Sequence, residues 1–312
     1  MIRSIKITVV LPLYNKSDLI LKCLNSIENQ IYKVDEVIIV NDGSTDDSLD
    51  KVVKFCYGKS NYRVINQDNT GVSAARNRGI EASSNQFVAL IDADDEWNDN
   101  HISTVVRLIS DFPDAIMYST AHGIRDFELG YFVPKGNFNE KERGFIDDFF
   151  LSSCKYPLVN SSKVVLNKPL LTEMFPVEAV VSEDLYLWIK LALNGKVVFD
   201  PAVTVCINQM QDESRKNRTL KVPYPIEYFS KRENFDMMTK ELKKYLFKIY
   251  FNHLMGSLLL DNRSEFSVRL SAAKNIFPFS VFFLRFLSFF PSEFYVFLRR
   301  IRRIRRISRS TN

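Results

Sequence analysis

Over its first 120 residues the chain alternates two hydrophobic rhythms. Residues 5–13 form a largely apolar run rich in β-branched residues, which predicts a strand covered on both faces. In residues 17–29, Leu19, Ile20, Cys23, Leu24 and Ile27 recur at helical spacing. Residues 34–40, 62–65, 87–91 and 115–119 predict further strands, and 45–55, 72–82 and 98–109 the helices between them. Strand–helix alternation of this kind implies βαβ crossovers and an α/β fold with a mostly parallel central sheet flanked by helices.

The pattern then weakens. Residues 121–160 mix aromatics, Gly and charge, and predict long loops and short strands. Val181-Ser182-Glu183-Asp184 opens a helix whose apolar face carries Leu185, Trp188, Ile189 and Ala192, with Gly195 as a C-cap. Residues 197–199 predict a strand, 209–218 a polar loop, and 223–274 a helical extension. The expected organisation is an α/β domain over 1–220, the extension over 221–275 and a distinct tail over 276–312.

Ligands of such a sheet bind at the carboxyl ends of its strands. The first four strand ends here are polar: Pro12-Leu13-Tyr14-Asn15, Asn41-Asp42-Gly43-Ser44, Gln67-Asp68-Asn69-Thr70-Gly71 and Asp92-Ala93-Asp94-Asp95. The last is the most informative. Two carboxylates two residues apart can share a hard divalent cation, or hold a cation and a ribose hydroxyl. The same residues also suit a turn or a helix N-terminus, and Asp42-Gly43 suits a turn.

Charge changes the picture at the other end. The 312 residues carry a net charge of +5, and seven of the 42 Lys and Arg lie in residues 299–312. Without them 35 basic residues face 37 acidic ones, so the body lacks the broad basic surface that a nucleic-acid partner needs. Nine of the 25 Phe fall between Phe277 and Phe297. Residues 276–298 approach a membrane-spanning length, but Pro278, Arg285, Pro291 and Glu293 interrupt them. Phe297, Ile301 and Ile304 then share one face of an Arg-rich segment. Residues 276–312 therefore predict an in-plane device for an anionic membrane surface. Four scattered Cys without a CxxC predict neither a disulfide framework nor a zinc site. The short apolar N-terminus is no signal peptide, and the sequons at Asn160, Asn217 and Asn262 read as chance. The expected location is the cytoplasmic face of the inner membrane, held peripherally.

The strand-end motifs, with Ala75-Arg76-Asn77 and Ser182-Glu183-Asp184, resemble the inverting family 2 glycosyltransferases of the GT-A fold. The resemblance covers residues 5–212. It implies that Pro12 and Tyr14, helped by Lys16, line the nucleotide-base pocket, and that Asp42 accepts a hydrogen bond from the base. Arg76 contacts the nucleotide, and Asp92 faces the ribose or the metal. Asp94 or Asp95 ligates Mg²⁺ or Mn²⁺. Asp184 is the catalytic base, with Glu183 holding the acceptor or substituting for it.

Many members carry an Arg-x-His after the base. The stretch here, Cys206-Ile207-Asn208-Gln209-Met210, has no His, and the Gln-x-x-Arg-Trp of processive members is missing. The resemblance thus implies one sugar added per encounter, from a nucleotide-sugar donor, a UDP-sugar, to a lipid-linked or glycan acceptor. A sugar nucleotidyltransferase would show a Gly-rich basic phosphate loop at the first strand, and Pro12-Leu13-Tyr14-Asn15-Lys16 is not one. A non-catalytic nucleotide-sugar-binding protein remains the third class.

Overall fold

A computed structural model describes residues 5–134, 143–209, 221–259, 263–291 and 294–295. The chain divides into two compact units. The first comprises Met1–Phe149, Pro157–Val177 and Leu187–Met210, and the second Phe150–Tyr156, Glu178–Tyr186 and Gln211–Asn312.

The first unit is built on one mixed sheet. Its strands are β1 (Ile7–Leu13), β2 (Glu36–Asp42), β3 (Tyr62–Gln67), β4 (Phe87–Leu90), β5 (Glu96–Trp97), β6 (Met117–Asp126), β7 (Gly130–Phe132), β8 (Gly144–Phe145), β9 (Val164–Asn167) and β10 (Val197–Gln209). They run in the order β3-β2-β1-β4-β9-β6-β10-β5, with β7 on β6 and β8 on β10. The β1–β2, β2–β3, β1–β4 and β6–β10 ladders are parallel. The antiparallel β9 separates the two parallel blocks by pairing with β4 on one side and β6 on the other.

The largely apolar run of β1 has a direct cause. Ile7, Val9, Leu11 and Leu13 enter the core shared with Ile20, Cys23, Leu24 and Ile27 of α1 (Ile20–Glu28) and with Ile102, Val105 and Leu108 of α4 (His101–Asp111). Val10 points to the opposite face and meets Gly79 of α3 (Val72–Ala82). Both faces are thus covered, and each buried Leu or Ile contributes about 1.5–3 kcal/mol.

Three differences from the sequence pattern have physical reasons. Helices α1, α2 (Ser48–Cys56) and α4 begin three residues later than the periodicity suggests, because polar residues just before α1 and α2 are used in loop hydrogen bonds. Strand β6 continues to Asp126 through residues expected to be loop. Its middle is polar yet buried: Ser119 donates to the Leu158 carbonyl at 2.8 Å, and Thr120 and Thr204 hydroxyls meet at 2.7 Å. Strand β10 runs ten residues past Phe199, absorbing Pro201 in register shifts between Asp200 and Val205. Gln209, expected to open a loop, closes that strand, and the rest of the expected loop lies outside the described residues. A helix the pattern did not reveal, α5 (Phe149–Lys155), precedes β9, and α6 (Glu183–Asn194) precedes β10.

The C-terminal part of the second unit contains α7 (Tyr224–Phe229), α8 (Lys240–Leu259), α9 (Arg263–Ala272) and α10 (Pro278–Leu284), the last running into a 3₁₀ turn over Arg285–Phe289. Leu242, Leu246, Tyr250, Phe266 and Leu270 are buried among these helices, and the Tyr250 hydroxyl donates to the Leu270 carbonyl at 3.0 Å. Among the described residues no helix is long and apolar enough to cross a membrane. Phe297, Ile301, Ile304 and the arginines around them lie outside the described residues.

Candidate functional site

The parallel ladders aim the carboxyl ends of β1, β2, β3 and β4 at one rim. Pro12 is buried in the β1 ladder opposite Val40, and Tyr14, two residues on, is 45% exposed. Asn15 adopts φ 47°, a left-handed conformation that Asn tolerates better than most residues. Its side-chain carbonyl accepts the Thr45 N–H at 2.8 Å, while its own N–H donates to Ser44 Oγ at 3.2 Å. The next two backbone N–H groups donate to Ser48 Oγ and Asp46 Oδ2, at 2.7 and 3.0 Å. The β1 loop is thereby fastened to the β2 loop.

Asp42, at the end of β2, is buried and holds the third loop. Its Oδ1 accepts from Gln67 Nε2 at 2.8 Å and the Thr70 N–H at 2.9 Å, and its Oδ2 accepts the Gly71 N–H at 2.9 Å. Glycine is required in both loops. Gly43 has φ 72°, and a Cβ there would lie 2.9 Å from the Asn69 nitrogen; Gly71 has φ 97° where α3 begins.

From α3, Arg76 reaches the β4 loop. It is buried, donates to Asp92 Oδ1 at 2.8 Å, and lies 5.1 Å from the Phe175 ring centroid. Lys16 crosses from the β1 loop to Asp94 Oδ2 at 2.9 Å. The structure therefore joins Lys16, Arg76, Asp92, Asp94 and Asp95 in one cluster. Asp92 and Asp94 keep partial exposure, and Asp95 turns inward. Asp95 accepts the Ser162 hydroxyl on Oδ2 at 2.5 Å and the Asn208 N–H on Oδ1 at 2.8 Å. Burial first, then the charges of Asp94 and Asp92, push its carboxyl well above the usual range, against those two hydrogen bonds.

Ser162 and Asn208 are the residues that sequence reasoning missed. The Ser162 hydroxyl also accepts the Asp92 N–H at 3.1 Å, and its carbonyl accepts the Trp97 indole N–H at 2.6 Å. Asn208, on β10, donates its side-chain amide to the Asp94 carbonyl at 2.6 Å and receives Arg125 Nη1 at 2.9 Å. It stands within the stretch noted for lacking a His. Ser162 lies in the weakly patterned region and carried no signal there.

Glu183 and Asp184 belong to the second unit. They form the first turn of α6, where negative charge is favoured by the helix dipole. Ser182 before them has φ 62°, the left-handed region in a non-glycine residue, and its carbonyl accepts the Tyr186 N–H at 3.2 Å. Asp184 Oδ1 accepts the Leu185 N–H at 2.8 Å. Burial, and after it the charge of Asp184, raises the Tyr245 phenol in the same unit.

Among the described residues no group of three or more His, Cys, Asp or Glu could by itself hold a metal ion. Asp92 and Asp94 offer hard carboxylate oxygens and leave coordination positions for other oxygen ligands. That chemistry fits a divalent cation of the Mg²⁺ or Mn²⁺ type, which keeps water and phosphate oxygens as partners.

A sheet with a polar rim at the ends of its first strands and a paired-carboxylate loop after β4 has the GT-A fold. Residues 8–156 match the model of glycosyl transferase family 2, just under half of the chain. It is 35% identical over 133 residues to glycosyltransferase GlyA of Streptococcus pneumoniae, covering 42% of this chain and 19% of the relative. It is 31% identical over 175 residues to the amylovoran biosynthesis glycosyltransferase AmsB of Erwinia amylovora, covering 53% of this chain and 56% of the relative. The chain thus spans less than two thirds of either relative. The crystal structure of Staphylococcus aureus TarS 1–349 in complex with UDP-GlcNAc superposes with a TM-score of 0.69 at 18% identity, over 87% of this chain and 82% of that one. At that identity the likeness concerns the fold.

Proposed function

We propose that this protein is an inverting glycosyltransferase that moves one sugar from a nucleotide-sugar donor, a UDP-sugar, to a hydroxyl of a membrane-linked glycan acceptor in polysaccharide biosynthesis. The observation that carries the reading is the rim where the Asp42-fastened Gly71 loop, Tyr14, the Arg76–Asp92 pair and the Lys16–Asp94 pair adjoin. The match of residues 8–156 to glycosyl transferase family 2 and the likeness to AmsB support it.

In this reading the exposed Tyr14 ring stacks on the base above Pro12. Asp42 accepts from the base while holding the loop beneath it. Arg76 orients Asp92 toward the ribose and diphosphate, and Lys16 contributes positive charge beside Asp94. Asp94 would hold Mg²⁺ or Mn²⁺, with Asp95, already engaged by Ser162 and Asn208, bracing the loop. Such a cation would supply positive charge to the nucleoside diphosphate leaving group. Asp184 takes the proton from the acceptor hydroxyl as its oxygen attacks the anomeric carbon opposite the leaving group, which inverts the configuration. Glu183 holds the acceptor. Residues 1–220 form the catalytic domain and 221–275 the helical extension, while 276–312 rest on the anionic cytoplasmic face of the membrane.

The test is Asp184→Asn with donor binding and turnover measured on the same protein. Turnover falls about 10²–10⁴-fold, the typical contribution of a general base, while the donor Kd stays within about twofold. Preserved turnover would sink the role of Asp184 and favour a non-catalytic nucleotide-sugar binder. The anomeric configuration of the product, read by NMR, tests inversion.

A further inference from the structure

The first turns of α8 put Lys240, Lys243, Lys244 and Phe247 on one helical face, at i, i+3, i+4 and i+7. That face lines a groove of about 540 Å³ whose other wall is Phe277 and Ser280. The Phe277 ring meets Phe247 edge-on at 5.3 Å and stacks on Tyr250 at 6.0 Å, which fixes the aromatic floor. The three lysines are exposed, and among the described residues none of them forms an ion pair. Like charges at this spacing repel one another, so an anion in the groove would relieve the helix as well as bind to it. Beyond Phe277, the same unit exposes Phe279 (83%), Phe282 (61%), Phe283 (68%) and Phe286 (55%) on α10 and the turn after it. An exposed apolar patch of this kind marks an interaction surface.

Cationic groove and apolar patch adjoin along a single segment of chain, Phe277 to Phe286. The partner that complements both at once is an amphiphile with an anionic head and a hydrocarbon chain. We propose that the groove between α8 and the Phe277–Ser280 segment is a binding site for a phosphate-bearing lipid head group in a membrane. Lys240, Lys243 and Lys244 take the phosphate, Ser280 donates a hydrogen bond, and the phenylalanines sit among the acyl chains. The inference rests on the reading of a membrane-linked acceptor and adds to it a discrete head-group site built from residues 240–280.

The experiment is flotation of the full chain with phosphatidylcholine vesicles, with or without phosphatidic acid as the phosphate monoester probe. The triple variant Lys240→Gln/Lys243→Gln/Lys244→Gln is compared with a control triple, Lys6→Gln/Lys22→Gln/Lys54→Gln, at exposed positions of the first unit. A lysine held against the membrane surface contributes about fivefold to anionic-membrane affinity, so the groove triple should lose about 100-fold toward phosphatidic acid vesicles. The control triple should lose little, and binding to pure phosphatidylcholine should not change. Phe282→Ser/Phe283→Ser should weaken binding to both vesicle types. Equal losses in the two lysine triples would mean diffuse charge attraction and overturn the proposal, as would no loss in the groove triple. Donor binding measured in parallel separates the two readings: a wild-type protein that floats but binds no nucleotide sugar refutes the transferase and leaves the lipid site standing.

Discussion

The Ser162 hydroxyl donates to Asp95 Oδ2 at 2.5 Å, and this contact ties the turn before β9 to the acidic loop after β4. Ser162 is 1% exposed and also receives the Asp92 N–H, so one hydroxyl sets both ends of the Asp92–Asp95 turn. Ser162→Ala leaves the buried Asp95 oxygen short of a donor, at a cost of about 1–3 kcal/mol. We expect a lower thermal midpoint and roughly tenfold weaker nucleotide-sugar binding in the presence of Mn²⁺. Unchanged donor affinity together with unchanged stability would show that the turn is held by other contacts.

Asp42 should be intolerant even of its isostere. Its two oxygens accept the Thr70 and Gly71 N–H groups and Gln67. Asp42→Asn turns an amide NH₂ toward one of those backbone donors, and the loss of a buried hydrogen bond costs about 1–3 kcal/mol. Calorimetry with UDP should show affinity reduced at least tenfold. Wild-type affinity would remove Asp42 from the base pocket.

Gly79 and Val10 set how closely α3 lies on the sheet. A Cβ at Gly79 would stand 2.3 Å from Val10 Cγ1. The β-branched valine has little rotamer freedom with which to yield, so Gly79→Ala should destabilise by about 1–3 kcal/mol. In a Val10→Ala background the same change should cost much less, and urea denaturation of the four proteins gives the coupling. Equal costs in both backgrounds would place the strain elsewhere.

His101 and His122 are buried and His253 is half-buried, and burial lowers each: His101 and His122 to about 3, and His253 to about 4. The charge of Lys163 adds to the effect at His122, and that of Arg269 at His253. The unfolded chain takes up these protons near pH 6.5 while the folded chain does not, so unfolding binds protons between about pH 4 and 6.5. Stability is full above the unfolded value and falls as pH drops, by about 1.4 kcal/mol per pH unit for each histidine. Urea midpoints at pH 7 and pH 5 check the slope, and His101→Gln should reduce it by one proton. A midpoint flat across this range would contradict the burial of these rings.

The tail and the rim show how far residue pattern reaches. The excess of Phe before 297 is legible in composition, and the exposure of Phe279, Phe282 and Phe283 agrees with a surface role. The described part of the 276–298 stretch is not one helix, because Pro278 starts α10 and the chain tightens to a 3₁₀ turn from Arg285.

The sequence by itself determined the strands and helices of the first half and the polar rim at the strand ends. Periodicity and strand-end chemistry are local, and local signals survive in a linear reading. It also singled out Asp42, Arg76, Asp92 and Asp94, each inside a short motif. The partners of those residues were decided only by tertiary structure. Lys16 meets Asp94 across two loops, while Ser162 and Asn208 reach Asp95 from 67 and 113 positions away. A hydrogen bond between residues so far apart leaves no period and no spacing in the chain. It arises when β9 and β10 add to the sheet beside β4 and β5 and bury a carboxylate that must then be satisfied.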